Sequence, residues 1–138
     1  MDFNIDSAGI LIGYFTPILI GFFWAILFLQ SGLDKIFDWK GNLEWLTGHF
    51  AQSSLSSLVK PMFGILTMIE ILAGLVSGIG VVVYLFKEDS LIILLGLLLS
   101  TISLIMLFFG QRVAKDYPGA QTIAIYFGTA LLSFMFLK

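Results

Sequence analysis

One carboxylate stands out among the residues able to do chemistry. Glu70 is the only charged residue between Lys60 and Lys87. It lies roughly nine residues into that apolar stretch, ~13 Å along a helix that starts near Pro61. An ionised carboxylate in hydrocarbon is expensive, so such a group must face protein, pair with a cation or carry a proton. Thr67, Ala73, Gly74 and Ser77 fall on its helical face, opposite bulky Leu and Ile, which predicts that Glu70 points inward. In that position it can hold a proton, accept hydrogen bonds from a ligand, or fix the register of neighbouring helices.

Other polar groups cluster at the ends of two further apolar stretches. Gln30, Asp34 and Lys35 close the first, and Gln111, Arg112, Lys115 and Asp116 follow the third. Polar groups from three helices then converge on one half of the molecule, which predicts a polar pocket there. Its candidate ligand-binding or network residues are Glu70, Gln30, Asp34, Lys35, Gln111, Arg112 and Asp116, with Arg112 long enough to reach towards Glu70.

Catalytic and metal chemistry find little support. The chain has no cysteine and one histidine, His49, so thiol chemistry and two-histidine haem ligation are excluded within it. A haem would need His49 together with a second ligand such as Met62. No H-E-x-x-H, paired carboxylates, nucleophile elbow or P-loop occurs, and Gly78-x-Gly80 is too short a pattern to hold a nucleotide. No catalytic residue, metal site or intrinsic cofactor is expected.

The elements that position these residues follow from charge and hydropathy. Of 138 residues 59% are hydrophobic and 12% charged, with a mean hydropathy of +1.02; an ordinary soluble domain is about 25% charged. Charge is absent between Asp6 and Asp34, between Asp89 and Arg112, and between Asp116 and Lys138. With the stretch holding Glu70 this makes four blocks, each long enough for the ~20 residues a membrane-crossing helix needs. The expected fold class is all-α: an integral membrane antiparallel four-helix bundle, one transmembrane domain over 1–138, with spans of roughly 10–33, 61–86, 91–110 and 119–137. The first block lacks the basic flank and cleavage site of a signal peptide. Pro61 and Pro118 suit first helical turns, Asp89 or Ser90 can cap the third span, and Pro17 should kink the first.

The link from 34 to 60 is too long for a simple loop. Leu43, Leu46 and Phe50 recur at helical spacing, which predicts a short interfacial helix over 42–51 anchored by Trp39 and Trp45. Small residues that let membrane helices approach closely occur on every span: Gly21 and Ala25, Gly74 and Gly78, Gly96 and Ser100 with Ser103, and Ala120, Ala124 and Gly128. Lys35, Lys40, Lys60, Arg112 and Lys115 share one side of the expected topology, against Lys87 and Lys138 on the other. The excess of basic residues marks the cytoplasmic side, so both termini are expected outside. A net charge of −2 gives no reason to expect a nucleic-acid partner.

Three stretches together resemble the DoxX family of small four-helix membrane proteins. They are Gln30-Ser-Gly-Leu-Asp-Lys-Ile-Phe, His49-Phe followed by Met68-Ile-Glu-Ile-Leu-Ala-Gly-Leu, and Gln111-Arg-Val-Ala-Lys-Asp-Tyr-Pro-Gly-Ala. Many members carry an arginine early in span one, and Gly9–Phe15 has none. The resemblance implies a multi-pass protein of the bacterial inner membrane, with periplasmic termini on the charge argument above. It also implies a place in membrane redox complexes, since some relatives are subunits of a quinone-reducing thiosulfate oxidoreductase, and with it a quinone or a lipid as the small molecule near Glu70, Gln30 and Arg112. Three readings follow. The chain is a non-catalytic, accessory subunit of a quinone-linked complex with a polar pocket around Glu70. Alternatively it is a structural or assembly subunit that needs no ligand, or a small proton-coupled transporter. The bilayer and either other membrane subunits or further copies of the chain are the expected partners.

Overall fold

In a computed structural model of the chain, residues 5–137 are described, and they form five helices and no strand. The elements are α1 (Ile5–Phe37), α2 (Trp39–His49), α3 (Val59–Lys87), α4 (Leu91–Val113) and α5 (Tyr117–Phe136). All but α2 are long and apolar enough to cross a membrane. Residues 1–4 and Lys138, on which the expected side of the two termini depends, lie outside the described residues.

Local chemistry sets the helix ends. Asp38 separates α1 from α2, and its Oδ1 accepts from Gly41 N at 3.2 Å, which starts a new helix one residue after the last. The surface helix therefore begins at Trp39, earlier than the 42–51 expected, and the serine-rich link continues through turns and one 3₁₀ turn at Ser56–Leu58. Asp89 Oδ1 accepts from Leu91 N at 2.9 Å at the start of α4, and Asp116 Oδ1 from Gly119 N at 3.0 Å at the start of α5. Glu88 and Lys115 take left-handed conformations, φ 54° and 59°, to reverse the chain in the two short turns. Pro17 lies within the continuous run of α1.

Backbone proximity fixes how the helices lie. Along α1 and α3 the facing pairs are Gly21 with Val81, Ala25 with Gly78, Leu29 with Gly74 and Gly32 with Ile71, so the two run in opposite directions. Gly80 faces Ile93 and Ser77 faces Gly96, which reverses the direction again for α4. Two clusters fill the interior. Trp24, Phe28, Ala73, Leu97, Leu104 and Ala130 form the larger, and Ile18, Val81, Tyr84 and Ile93 the smaller. Large apolar side chains such as Ile10, Ile12, Leu19, Ile26, Ile125 and Met135 point outward instead, a distribution compatible with a multi-pass membrane protein.

Candidate functional site

Glu70 lies at the centre of a closed three-residue network. It shares the buried face of α3 with Thr67, Ala73, Gly74 and Ser77 and is 0% exposed. Ser31 and Lys35, one turn apart on α1, meet it from the opposite helix. Ser31 Oγ donates to Glu70 Oε1 at 3.1 Å, and Lys35 Nζ stands 2.9 Å from Oε2. The same ammonium donates to Ser31 Oγ at 2.8 Å and to Ser31 O at 3.3 Å. The lysine side chain keeps 17% of its surface exposed, so its long stem carries charge inward while part of it stays at the rim. Ser31 can reach the carboxylate because Gly32 beside it lets Ile71 press against α1: a Cβ on Gly32 would lie 3.3 Å from Ile71 N.

Further hydroxyls line the contact between α3 and α4. Ser100 Oγ donates to Gly96 O at 2.9 Å and Thr67 Oγ1 to Phe63 O at 2.7 Å, which satisfies each within its own helix. Ser77 and Ser103 are fully buried, and their hydroxyls find no hydrogen-bond partner among the described residues. Ser77 packs directly on the Gly96 backbone, where an added Cβ would sit 2.7 Å from Ser77 N. That close approach leaves no room for a bound group.

The remaining sequence-predicted residues do not gather round Glu70. Gln30 and Asp34 are exposed on α1. Arg112 is exposed too, its guanidinium carbon 4.8 Å above the Tyr117 ring. The reach from Arg112 to Glu70 expected from sequence is therefore not made, because Lys35 already occupies the carboxylate and Arg112 turns to an aromatic face. Asp116 Oδ2 lies 3.6 Å from His49 Nε2, beyond hydrogen-bond reach, so the end of α2 faces the turn before α5 without a bond between these two side chains. The His49 ring stacks on Trp45 at 4.6 Å. Ser31 was not among the expected residues, although its i, i+4 spacing from Lys35 is visible in the sequence.

The open space at this end of the molecule is apolar. A cleft of about 580 Å³, its open mouth included, lies between α2, the serine-rich link, α3 and α4. Phe50, Met62, Leu66, Met106 and Leu107 line it with Gln111, and Glu70 does not. The single polar pocket expected around Glu70 is thus replaced by an ion pair with a buried carboxylate and a separate apolar cleft.

The small residues divide as well. A Cβ on Gly74 would lie 2.7 Å from Leu29 N, and one on Gly80 2.6 Å from Ile93 N. Gly21, Ala25, Gly96, Ser100 and Ala120 are buried, and a Cβ on Gly78 would meet Ala25 at 3.8 Å. Ala124 and Gly128 are exposed, and a Cβ on Gly128 would meet nothing within 4 Å. On α5 the buried residues are Ala120, Ala130 and Ser133, so the expected Ala124–Gly128 stripe does not pack inside this chain. The tie from α5 to α1 is Trp24 Nε1 donating to Ser133 Oγ at 3.2 Å.

These features define an all-helical chain with four helices apolar enough for a membrane, closed round one buried ion pair. No family model, curated protein or solved structure matches it.

Proposed function

We propose that the chain is an accessory subunit of a larger membrane complex, an integral four-helix bundle of the bacterial inner membrane without chemistry of its own. The observation that supports this reading is the closure of the Ser31–Lys35–Glu70 network. Its deepest ionisable group is already paired and fully buried, so that carboxylate is not open to a substrate. A proton-coupled carrier needs such a group to face a pathway, and Glu70 is fully buried and does not line the apolar cleft. The same closure favours the assembly role over a subunit that lines a quinone site at Glu70.

The redox, quinone-linked character of the complex comes from the resemblance to the DoxX family carried by Gln30–Phe37, Met68–Leu75 and Gln111–Ala120. Outward-facing Ala124 and Gly128 offer one close-approach surface to another subunit. Purification of the tagged protein in mild detergent, with mass spectrometry of co-purifying proteins and quinones, tests the reading. Recovery of oxidoreductase subunits from both wild type and Glu70→Gln is the expected result. A partner-free protein, or a partner and quinone both lost in Glu70→Gln, would overturn it.

A further inference from the structure

We propose that His49 and Asp116 form a proton-operated latch: protonation of the imidazole docks the end of α2 on the turn before α5, and deprotonation releases it. The inference goes beyond the accessory-subunit reading and does not depend on it.

The geometry is that of a pair poised to close. His49 Nε2 is buried and has no hydrogen-bond partner among the described residues. Asp116 Oδ2 faces it at 3.6 Å. The carboxylate is held from its other side, where Oδ1 accepts from Gly119 N at 3.0 Å as the cap of α5. Trp45 stacks on the imidazole, 4.6 Å between centroids and 16° between planes, and fixes how the ring is presented. An approach of about 0.7–0.9 Å would give a charge-assisted hydrogen bond of ~2.7–2.9 Å.

Protonation supplies the drive, because histidine is the side chain whose charge changes between about pH 5 and pH 8. An imidazolium at His49 gains the Asp116 carboxylate. It also sits in the last turn of α2, where the carbonyl end of a helix favours a cation. Arg112 and Lys115 flank Asp116 and oppose it, but the Arg112 guanidinium is turned onto the Tyr117 ring. The other charges on the elements packed against α2 lie elsewhere along them. Asp34 and Asp38 stand at the α1–α2 junction, Lys40 and Glu44 on α2 itself, and Lys60 in the first turn of α3, while Lys35 and Glu70 engage each other. None of these acids comes within ion-pair distance of His49. Closure therefore takes up a proton, so it is favoured as pH falls and lost as pH rises through the histidine range.

The latch acts on the apolar cleft. Phe50, the next residue, lays its ring over Gly110, where a Cβ would meet it at 3.4 Å. With Leu46 it forms the α2 wall of the cleft. Docking His49 holds that wall down, and release lets it lift from α4.

The chain has no cysteine, so spin labels at Thr47→Cys and Gln121→Cys, both exposed, report the distance from α2 to the start of α5 in the full-length protein. Pulsed electron paramagnetic resonance is compared at about pH 5 and pH 8. A short, narrow distance is expected at the lower pH and a longer component at the higher. The short-to-long ratio should fall about fivefold, the upper range for a part-exposed ion pair. His49→Gln should abolish the response, and His49→Asn serves if that variant does not fold. Asp116→Asn should abolish it too, since asparagine caps a helix as well as aspartate but brings no charge. The same distribution at both pH values, or a pH response that survives in either variant, would overturn the proposal.

Discussion

Gly74 on α3 and Gly128 on α5 belong to the same kind of pattern, small residues one turn apart on an apolar helix, yet they meet opposite fates. At Gly74 the backbones of α1 and α3 come so close that a Cβ would lie 2.7 Å from Leu29 N, whereas Gly128 faces open space. The difference lies in what else each helix must bury. Glu70 stands one turn before Gly74, so the face that hides the carboxylate also carries the glycine inward. On α5 the residue with a polar demand is Ser133, which receives the indole N–H of Trp24. Ser133 is five residues beyond Gly128 and on a different face of the helix. A small-residue stripe therefore shows where a helix can be approached, and the buried polar group decides which face turns in.

The sharpest way to break this contrast is to remove the cation that makes the α1–α3 face tolerable. Lys35→Met leaves Glu70 buried without its partner and should cost about 3–5 kcal/mol in unfolding free energy, read by steric-trap or denaturing-detergent unfolding. Glu70→Gln should cost less, because the freed lysine already touches the surface and can turn outward. Lys35→Met combined with Glu70→Met should recover most of the loss. A double variant as unstable as Lys35→Met would show that the pair is needed for more than mutual neutralisation.

Next in size come the glycines of that seam. Gly74→Ala and Gly96→Ala each place a methyl against backbone atoms that cannot swing aside, 2.7 Å from Leu29 N and from Ser77 N. A loss of about 1–3 kcal/mol is expected for each, and measured unfolding within about 0.5 kcal/mol of wild type would show that the helices separate freely.

Removing the α5 tie should cost less again. Trp24→Phe deletes the hydrogen bond to Ser133 while keeping the aromatic core contact with Phe28. Hydrogen bonds between helices in this setting contribute about 0.6 kcal/mol on average and up to about 1.7. Ser133→Ala should cost about that much, Trp24→Phe more because the smaller ring also leaves a cavity in the core, and the Trp24→Phe/Ser133→Ala pair little beyond Trp24→Phe alone.

Much of this architecture is legible in the sequence because it rests on local terms. Gaps between charges delimit the long helices, Asp116 and Pro118 announce the start of α5, and the Thr67–Ser77 stripe orients Glu70. The end of α1 is less legible, since Asp38 caps α2 immediately and one helix passes into the next without a loop. The partner of Glu70 depends on the offset between α1 and α3, which close contacts at Gly32 and Gly74 determine. Composition made Arg112 as eligible as Lys35. The cleft has no sequence signature at all, because Phe50, Met62 and Met106 converge from three separate segments.

Gly128→Leu should have the smallest effect on the isolated chain, and it separates the two uses of a small-residue stripe. The new side chain enters space where nothing lies within 4 Å, and leucine is a better helix former than glycine by roughly 0.8 kcal/mol. Unfolding of the purified protein should therefore be unchanged or slightly harder. In the native membrane the same leucine would push apart any helix that approaches Ala124 and Gly128. Co-purification of the proposed partner from cells carrying Gly128→Leu reads that second effect. Partner loss without loss of stability would place the subunit contact on the outer face of α5. An undiminished yield would move it to another exposed surface, with α1 the next to test because Ile10, Ile12 and Leu19 also point outward.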